Sequence, residues 1–209
     1  MRTSLYKPHP WHGVPIGDEA PRVVVCFIEI VPTDTVKYEI DKLTGYLKVD
    51  RPQKFSNVCP TLYGMIPRTL CGERVGAFCA ERSGRTLAGG DADPMDICVL
   101  TEKQFPRGDI LLHAAPIGGL RLIDNQQADD KIIAVLEGDA AFGGWRDIGE
   151  CPPGLLERLQ HYFLTYKQPP GESHPRCELA GVYGADEAQE VIRRSVEDYR
   201  AEFGHLQAI

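Results

Sequence analysis

The sequence predicts a mainly β, α+β fold in which short strands form a barrel or a sandwich and helices follow towards the C-terminal end. Three observations predict it. Short segments rich in β-branched and alternating apolar residues recur, turns rich in Pro, Gly, Asp and Asn separate them, and two late segments carry apolar residues at helical spacing. Because 209 residues with 43% hydrophobic content can bury a sizeable core, we expect a single domain over residues 1–209.

The N-terminal part is predicted to contain an irregular arm, a strand and a hairpin. Residues 1–21 are rich in Pro, Gly and His, which disfavour regular structure. Residues 23–30 have the β-branched and aromatic content of a strand. Residues 36–41 and 46–50 alternate between apolar and polar side chains on either side of a turn at residues 43–45, which is typical of a β-hairpin.

The second half is predicted to continue with short strands and to end in two helices. Residues 154–167 follow a Pro-Pro pair and place leucines and aromatics at helical spacing, and the segment between Ala188 and Phe203 does the same. We expect both apolar stripes to pack on the core. Turn residues divide the preceding apolar runs into four strands, at residues 97–100, 109–115, 118–123 and 131–136.

Composition opposes several classes of function. The formal net charge of -7 disfavours non-specific nucleic-acid binding, which depends on Lys and Arg contacts to phosphates. The sequence shows neither a signal peptide nor a run of about 18 apolar residues, so we expect a cytoplasmic protein with no membrane partner. The seven cysteines lack a C-x-x-C pair and the six histidines lack a ligand spacing, so we expect reduced, packed cysteines and no zinc site.

Three carboxylates within six residues, Asp91, Asp93 and Asp96, form what we call the first acidic loop (residues 91–96). Two unit charges about 4 Å apart repel by roughly 4 kcal/mol at an effective dielectric near 20, and nothing within the loop neutralises them. A hard divalent cation is the usual partner of such oxygen ligands. The alternative is a solvated loop that binds nothing. However, the apolar run at residues 97–100 indicates that Asp96 lies at the mouth of a buried strand, where an unpaired charge is costly.

A second acidic turn (residues 124–130) precedes the strand predicted at residues 131–136. Charged side chains also lie on the early strands and at the end of the hairpin. Each of these alone is explained by a solvated surface, but together they indicate a cup of carboxylates with a few cations, as metal-dependent phosphoryl transfer requires. The residues concerned are Glu29, Lys37, Glu39, Arg51, Asp124, Asp129 and Lys131.

The first acidic loop and its surroundings resemble the soluble inorganic pyrophosphatases of bacteria and the eukaryotic cytosol, known as family I. Residues 91–97, with the sequence DADPMDI, are similar to the family signature D-[SGDN]-D-[PE]-[LIVMF]-D-[LIVMGAC], with alanine at the second position. Further short motifs agree in order from about Val23 to Lys167. They are IEI at residues 28–30, KYEIDK at 37–42, VDR at 49–51, PTLYG at 60–64 and HYFLTYK at 161–167.

The resemblance implies a five-stranded, OB-like closed β-barrel with two or more flanking α-helices. It also implies hydrolysis of pyrophosphate to two phosphates by in-line attack of a metal-activated hydroxide, with Asp93 as general base and several Mg²⁺ ions per site. Carried over residue by residue, the implied metal ligands are Asp91, Asp96, Asp129, Asp124 and Glu29. The implied substrate-binding groups are Lys37, Arg51, Tyr63, Lys131, Tyr166 and Lys167, with Glu39 in a supporting position.

The chain departs from the usual bacterial pattern between Tyr63 and Asp91, which are 28 positions apart. We interpret residues 68–90 as a tolerated surface insertion, with a lid or an oligomer contact as the alternatives. The insertion also bears on assembly. We expect a homo-oligomer, with a hexamer favoured and a dimer or trimer as alternatives.

Two rival functions would use the same charges differently. Another two-metal phosphohydrolase or nuclease would need basic surface for a long substrate, which the net acidity opposes. An OB-type nucleic-acid-binding module would prefer a basic groove with exposed aromatics and has no need of clustered carboxylates. We therefore expect pyrophosphate and phosphate as ligands, and no nucleic acid.

Overall fold

The computed structural model describes residues 7–168, 171 and 176–208. This part of the chain contains nine strands, three α-helices and two short 3-10 helices, the latter at Ile148–Glu150 and Gly204–Ala208. The α-helices are α1 (Glu73–Ser83), α2 (Pro153–Thr165) and α3 (Ala185–Phe203). The strands are β1 (Val24–Ile30), β2 (Val36–Ile40), β3 (Leu47–Pro52), β4 (Leu62–Met65), β5 (Asp96–Leu100), β6 (Ile110–Asp124), β7 (Gln127–Ala128), β8 (Lys131–Leu136) and β9 (Cys177–Gly184).

Five strands form a closed ring. Hydrogen bonding runs in the order β1, β4, β5, β8 and β6, and β6 also pairs with β1. The ring is antiparallel except for the parallel pair of β5 and β8. Strand β5 is buried on both faces, because Cys98 and Leu100 pack in a cluster with α2 while Ile97 and Val99 pack in the cluster that includes α1 and α3. The predicted mainly β, OB-like barrel with flanking helices is confirmed.

The two strands predicted at residues 109–115 and 118–123 are one strand, β6, of 15 residues. A register shift between Pro116 and Gly118 marks a β-bulge, which bends a strand without ending it. The first half of β6 pairs with β1, the second half pairs with β9, and β8 pairs across the bend. The prediction of two strands is wrong, because proline and glycine mark a bulge here rather than a turn.

Among the strands and α-helices, four are missing from the sequence prediction: β4, α1, the two-residue β7 and β9. Strand β4 has four residues, and its Gly64 lies so close to β1 that an added Cβ would come within 2.0 Å of the Phe27 carbonyl oxygen. Strand β9 contains Gly181 and Gly184 and pairs along the outer half of β6. Strands that are this short, or that contain glycine, are difficult to predict from hydrophobic periodicity, because glycine is depleted in strands and a few residues show no clear period.

Residues 68–90 do not form the surface insertion that we expected. Cys71, Val75, Phe78 and Cys79 are at most 3% exposed and belong to the apolar cluster that also contains residues of α3. Helix α1 packs directly on α3. Burying a large apolar side chain stabilises a fold by about 1.5 to 3 kcal/mol, so this segment is part of the core and not an appendage.

The predicted hairpin and both C-terminal helices are present. Strands β2 and β3 form a separate two-stranded sheet, whose turn uses Gly45 at a φ of 72°, a left-handed conformation that glycine adopts freely. Helix α2 buries Leu159 and Phe163, and α3 buries Val191 and Ile192, as their apolar stripes predict. Within the described ranges, helices with the length and hydropathy of a membrane span are absent.

The N-terminal arm has turns but no helix or strand over residues 7–21, and residues 1–6 lie outside the described residues. It is nevertheless held in place. Trp11 is buried, and its Nε1 donates a 2.7 Å hydrogen bond to the Thr69 carbonyl oxygen. His12 Nδ1 lies 2.8 Å from the hydroxyl of Tyr199 on α3. The arm therefore connects the last helix to the chain that leads into α1.

Candidate active site

A cleft of about 340 Å³ brings together the side chains that the sequence singles out. The hairpin, the first acidic loop, the second acidic turn and the chain after α2 all contribute to its lining. Every predicted site residue lines it. They are Glu29, Lys37, Glu39, Arg51, Tyr63, Asp91, Asp93, Asp96, Asp124, Asp129, Lys131, Tyr166 and Lys167.

The first acidic loop makes a tight turn at Ala92, which has a left-handed φ of 62°. The Asp93 amide donates a 3.1 Å hydrogen bond back to Asp91 Oδ1. Gly, Asn and Asp adopt a left-handed conformation more readily than alanine. The Gly, Asp and Asn that the signature allows at the position of Ala92 fit this left-handed turn, and the turn brings Asp91, Asp93 and Asp96 to one cleft.

Lys131 joins the two acidic segments. It is 2% exposed, and its ammonium group donates to the carboxylates of both Asp96 and Asp129. Burial alone would lower the pKa of Lys131, but the charges of Asp129 and Asp96 outweigh that effect and raise the pKa well above its ordinary value. Lys131 is therefore a fixed positive charge between a carboxylate at the start of β5 and one in the second acidic turn.

Two carboxyl groups of the cleft resist ionisation. Burial raises the pKa of Asp91 to about 8, and repulsion from Asp129 adds to this, while Lys131 opposes it. Burial likewise raises the pKa of Glu29 to about 8, although Glu29 Oε1 accepts a 2.7 Å hydrogen bond from the Ile40 amide. Their positions are therefore suited to a bound cation, whose positive charge would favour the ionised forms.

The hairpin supplies cations held by carboxylates. Lys37 Nζ donates to Asp50 Oδ2 at 2.8 Å and to Glu39 Oε2 at 3.0 Å, and Arg51 also contacts Asp50. Burial would lower the pKa of Lys37, but the hydrogen bonds to Asp50 and Glu39 raise it on balance. Lys37 and Arg51 are register partners on β2 and β3, so both cations lie on the same face of the hairpin.

The chain at the end of α2 adds an aromatic ring and another cation. Lys167 donates to Asp124 Oδ2, and Tyr166 is buried beside it. Burial would lower the pKa of Lys167, but Tyr166 and Asp124 raise it on balance. Burial raises the pKa of Tyr166 and also that of Tyr63 on β4. Both phenols therefore stay neutral at ordinary pH and can donate hydrogen bonds to an anion.

Sequence reasoning missed several polar residues of the cleft. The Lys42 ammonium contacts the Asp93 carboxylate, and these residues are 51 positions apart, so no local pattern indicates the contact. Asp50 could have been singled out from the sequence, because it directly precedes Arg51 on the hairpin. The missed residues are Lys42, Asp50, Asn125 and Gln127.

The donor set fits a hard divalent cation. Its donors are carboxylate oxygens, the ligands that Mg²⁺ prefers. Asp124 Oδ1 is buried without a hydrogen-bond partner among the described residues, which leaves an acceptor available to an ion. In the described part of the chain, no three His, Cys, Asp or Glu side chains already form a compact ligand cluster. Lys131 lies between Asp96 and Asp129 instead, and its ammonium supplies positive charge there.

The inorganic pyrophosphatase family model matches residues 26–200 of this sequence. The chain belongs to this family. The matched range contains both acidic segments, the hairpin and the end of α2, so it includes every residue that the sequence singles out as a site residue of this pyrophosphatase.

Relatives and solved structures with the same family name cover almost the whole chain. An inorganic pyrophosphatase from Chlamydia trachomatis serovar D is 53% identical over 202 residues, which is 95% of this chain and 97% of the relative. A soluble inorganic pyrophosphatase from Oryza sativa subsp. japonica is 38% identical over 193 residues, 92% and 80% of the two chains. The crystal structure of the Thermus thermophilus inorganic pyrophosphatase matches with a TM-score of 0.76 at 28% identity, covering 93% and 99%.

The function follows from family membership. This pyrophosphatase is a hydrolase that splits pyrophosphate into phosphate, as the sequence analysis predicts. Members of the family need a divalent metal ion. The rival interpretations, a nuclease or an OB-type nucleic-acid-binding module, receive no support from these relatives.

Proposed function

We propose that pyrophosphate hydrolysis in this cleft uses several Mg²⁺ ions and that Asp93 is the general base. The oxygen-only donor set and the partnerless Asp124 Oδ1 support Mg²⁺ as the metal. Three carboxylates would hold the principal ions and two more would serve further ions. The proposed ligands are, in that order, Asp91, Asp96 and Asp129, then Asp124 and Glu29.

The main support for this proposal is that carboxylates and basic side chains line the same cleft. Among the described residues, eight carboxyl groups and five Lys or Arg side chains line it. Carboxylates in such number repel one another unless cations join them. The lysines and arginine, in turn, suit the oxygens of a small phosphate anion. Pyrophosphate bound together with metal ions satisfies both sets of charges.

Asp93 is suited to accept a proton. When bound, Mg²⁺ would supply Lewis acidity and lower the pKa of the water in its coordination sphere. The Asp93 side chain is 46% exposed, so water reaches its carboxylate. Asp93 needs to take one proton from the attacking water, a step that general bases typically accelerate by roughly 10² to 10⁴-fold.

The basic side chains would bind the two phosphates and stabilise the charge that grows on the leaving one. Lys37 and Arg51 approach from the hairpin, and Lys167 approaches from the end of α2. The Arg51 guanidinium lies 5.7 Å from the centroid of the Tyr166 ring, which helps to orient it. Groups on two sides of the cleft would hold both ends of the substrate, which favours pyrophosphate over a phosphate monoester.

Partners and location are part of the proposal. The seven cysteines are free and buried, in keeping with a reducing compartment, so we place the protein in the cytoplasm. The excess of carboxylates in the cleft disfavours nucleic acid as a ligand. Leu43, Tyr46 and Phe55 are exposed large apolar residues on and beside the hairpin, which supports a homo-oligomer. The family resemblance is the ground on which we favour a hexamer over a dimer or trimer. Analytical ultracentrifugation measures the assembly state directly.

A substrate panel tests the proposal. Phosphate release is measured from pyrophosphate, from a nucleotide and from single-stranded DNA, each with Mg²⁺ and with EDTA. We expect rapid turnover of pyrophosphate with Mg²⁺ and loss of that turnover with EDTA. Equal activity in EDTA would contradict the metal assignment, and comparable turnover of the nucleotide or of DNA would contradict the substrate assignment.

Two variants separate the proposed roles. Asp93→Asn is expected to lower kcat by roughly 10² to 10⁴-fold while Mg²⁺ affinity is retained. Asp96→Asn is expected to weaken Mg²⁺ binding in a calorimetric titration. Asp18→Asn, at an exposed position of the arm, is the control. Wild-type activity of Asp93→Asn would remove Asp93 from the mechanism, and unchanged Mg²⁺ affinity of Asp96→Asn would remove that ligand.

A further inference from the structure

One stretch of chain, residues 71–90, is hydrogen-bonded to both acidic segments of the cleft. At its start, the Cys71 amide donates to the Asp93 carbonyl oxygen at 2.8 Å, and the Cys71 carbonyl oxygen accepts from the Ala92 amide at 3.0 Å. These two bonds attach it to the backbone of the first acidic loop, between the side chains of Asp91 and Asp96.

The end of the same stretch is attached to the second acidic turn. The Ala88 amide donates to the Gln126 carbonyl oxygen, and the Ala128 amide donates to the Gly89 carbonyl oxygen, both at 2.9 Å. Gln127 Nε2 also donates to the Gly90 carbonyl oxygen at 3.1 Å. Residues 88–90 therefore pair with the backbone immediately before Asp129.

The Cys71 side chain spans the two acidic segments directly. Its thiol donates to the Ala128 carbonyl oxygen at 3.1 Å, and both residues are buried. Cys71 thus contacts the first acidic loop through its backbone and the second acidic turn through its side chain. Any change in the separation of these segments has to break or stretch the contacts of this residue.

The stretch is itself fixed to α3. Asp198, which is 3% exposed, accepts hydrogen bonds of 3.0 to 3.1 Å from the Arg74 and Val75 amides at the start of α1. Helix α1 also lies against the returning chain, because a Cβ on Gly76 would come within 2.4 Å of the Gly89 carbonyl carbon. Residues 71–90 consequently have little freedom to shift.

We propose that residues 71–90 are a brace that sets the separation of the two acidic segments and thereby Mg²⁺ affinity, with Cys71 as a positioning residue. This inference rests on the proposed function, since it takes Asp91, Asp96 and Asp129 as the ligands.

The first test compares two thiol deletions in the same apolar cluster. Cys71→Ala removes the hydrogen bond to Ala128, whereas Cys26→Ala removes a similarly buried thiol on β1 that donates locally, to the Val24 carbonyl oxygen. We expect Cys71→Ala to weaken Mg²⁺ binding by about 3- to 10-fold, the effect of losing one neutral hydrogen bond, and Cys26→Ala to leave it unchanged. Cys71→Ser, which keeps a donor, should recover at least part of the affinity.

Titration calorimetry with Mg²⁺ and thermal unfolding without it are the two measurements. Equal losses of thermal stability in both alanine variants, with unchanged Mg²⁺ affinity in Cys71→Ala, would overturn the brace and leave Cys71 as a packing residue. Failure of the wild-type protein to bind Mg²⁺ would instead overturn the proposed function, so the two failures are distinguishable.

A second variant tests the brace without deleting any atom. Gly76→Ala adds a methyl group that pushes α1 away from Gly89, whereas Gly154→Ala adds the same group to α2, where it meets open space. We expect Gly76→Ala to weaken Mg²⁺ binding and to speed hydrogen exchange of the Ala128 amide, and Gly154→Ala to do neither. If Gly76→Ala exchanges the Ala128 amide faster but binds Mg²⁺ with normal affinity, the brace does not set Mg²⁺ affinity and the proposal is overturned.

Discussion

Asp96 and Lys131 are register partners in the parallel pair of β5 and β8, and the buried Lys131 ammonium donates to the Asp96 carboxylate. The same ammonium reaches Asp129, two residues earlier in the chain. Strand pairing therefore places one cation between two carboxylates that are 33 positions apart in the sequence. Much of the charge balance among the side chains of the cleft depends on this arrangement.

Lys131→Met should destabilise the metal-free protein by about 3 to 5 kcal/mol, because it leaves buried carboxylates without their cation. Millimolar Mg²⁺ should restore part of that loss, since an ion that binds the folded state stabilises it. Urea unfolding with Mg²⁺ and with EDTA measures both effects. Lys103→Met, at an exposed position, is the control and should cost less than about 0.5 kcal/mol. The same loss with and without Mg²⁺ would contradict the prediction.

Ala92→Gly should stabilise the protein by about 0.5 to 1 kcal/mol. Ala92 has a φ of 62°, a conformation that costs an L-residue about 1 to 2 kcal/mol, and glycine removes that cost at the expense of some extra freedom in the unfolded chain. Ala92→Val should destabilise it, because a β-branched residue tolerates this conformation least. Denaturant unfolding of the three proteins provides the measurement, and a stability order other than Gly, Ala, Val would refute the strain argument.

Thr69 is a buried link between the chain before α1 and the first acidic loop. Its hydroxyl donates to the Ile66 carbonyl oxygen at 2.6 Å and accepts from the Met95 amide at 2.9 Å. Thr69→Val should cost about 1 to 3 kcal/mol, because it leaves both backbone groups unsatisfied. Hydrogen exchange at the Met95 amide distinguishes this cause from lost packing. The amide should exchange faster in Thr69→Val and stay protected in Thr69→Ser.

Stability should fall on acidification because the folded protein favours the neutral form of the partly buried His12. Burial lowers the pKa of His12 to about 4, and the charge of His9 lowers it further. The unfolded chain has the ordinary value near 6.5, so its histidine takes up a proton first, and the stabilisation present above pH 6.5 is lost as pH falls towards 4. The slope contributed by His12 is at most about 1.4 kcal/mol per pH unit.

The unfolding free energy between pH 7 and pH 5 is the measurement for His12. His12→Gln should flatten the slope of the wild-type protein over this interval, whereas His205→Gln, at an exposed position near the C-terminal end, should leave the slope unchanged. Parallel slopes for the wild type and His12→Gln would exclude His12 as the titrating group.

The candidate site is predictable from the sequence to the extent that its motifs are local. Asp91, Asp93 and Asp96 lie within one short loop, and the alternation of the hairpin places Lys37 near Arg51. The contact between Lys42 and Asp93 cannot be predicted from local motifs, because it joins the hairpin to a loop that is distant in the sequence. The burial of residues 68–90 is not predictable from local sequence either. Their few apolar side chains lie among charged ones, which is compatible with a surface segment, and packing with α3 is what buries them.

The family, the mainly β class, the hairpin, the two C-terminal helices and most of the charged side chains of the cleft are readable from the sequence, because each of these leaves a pattern within a few consecutive residues. Three features emerge only in the folded molecule: β6 is one bent strand, α1 belongs to the core, and Lys131 lies between Asp96 and Asp129. Each of them depends on which distant strands and helices pair. Pairing is selected by the packing and charge balance of the whole molecule and not by any short segment.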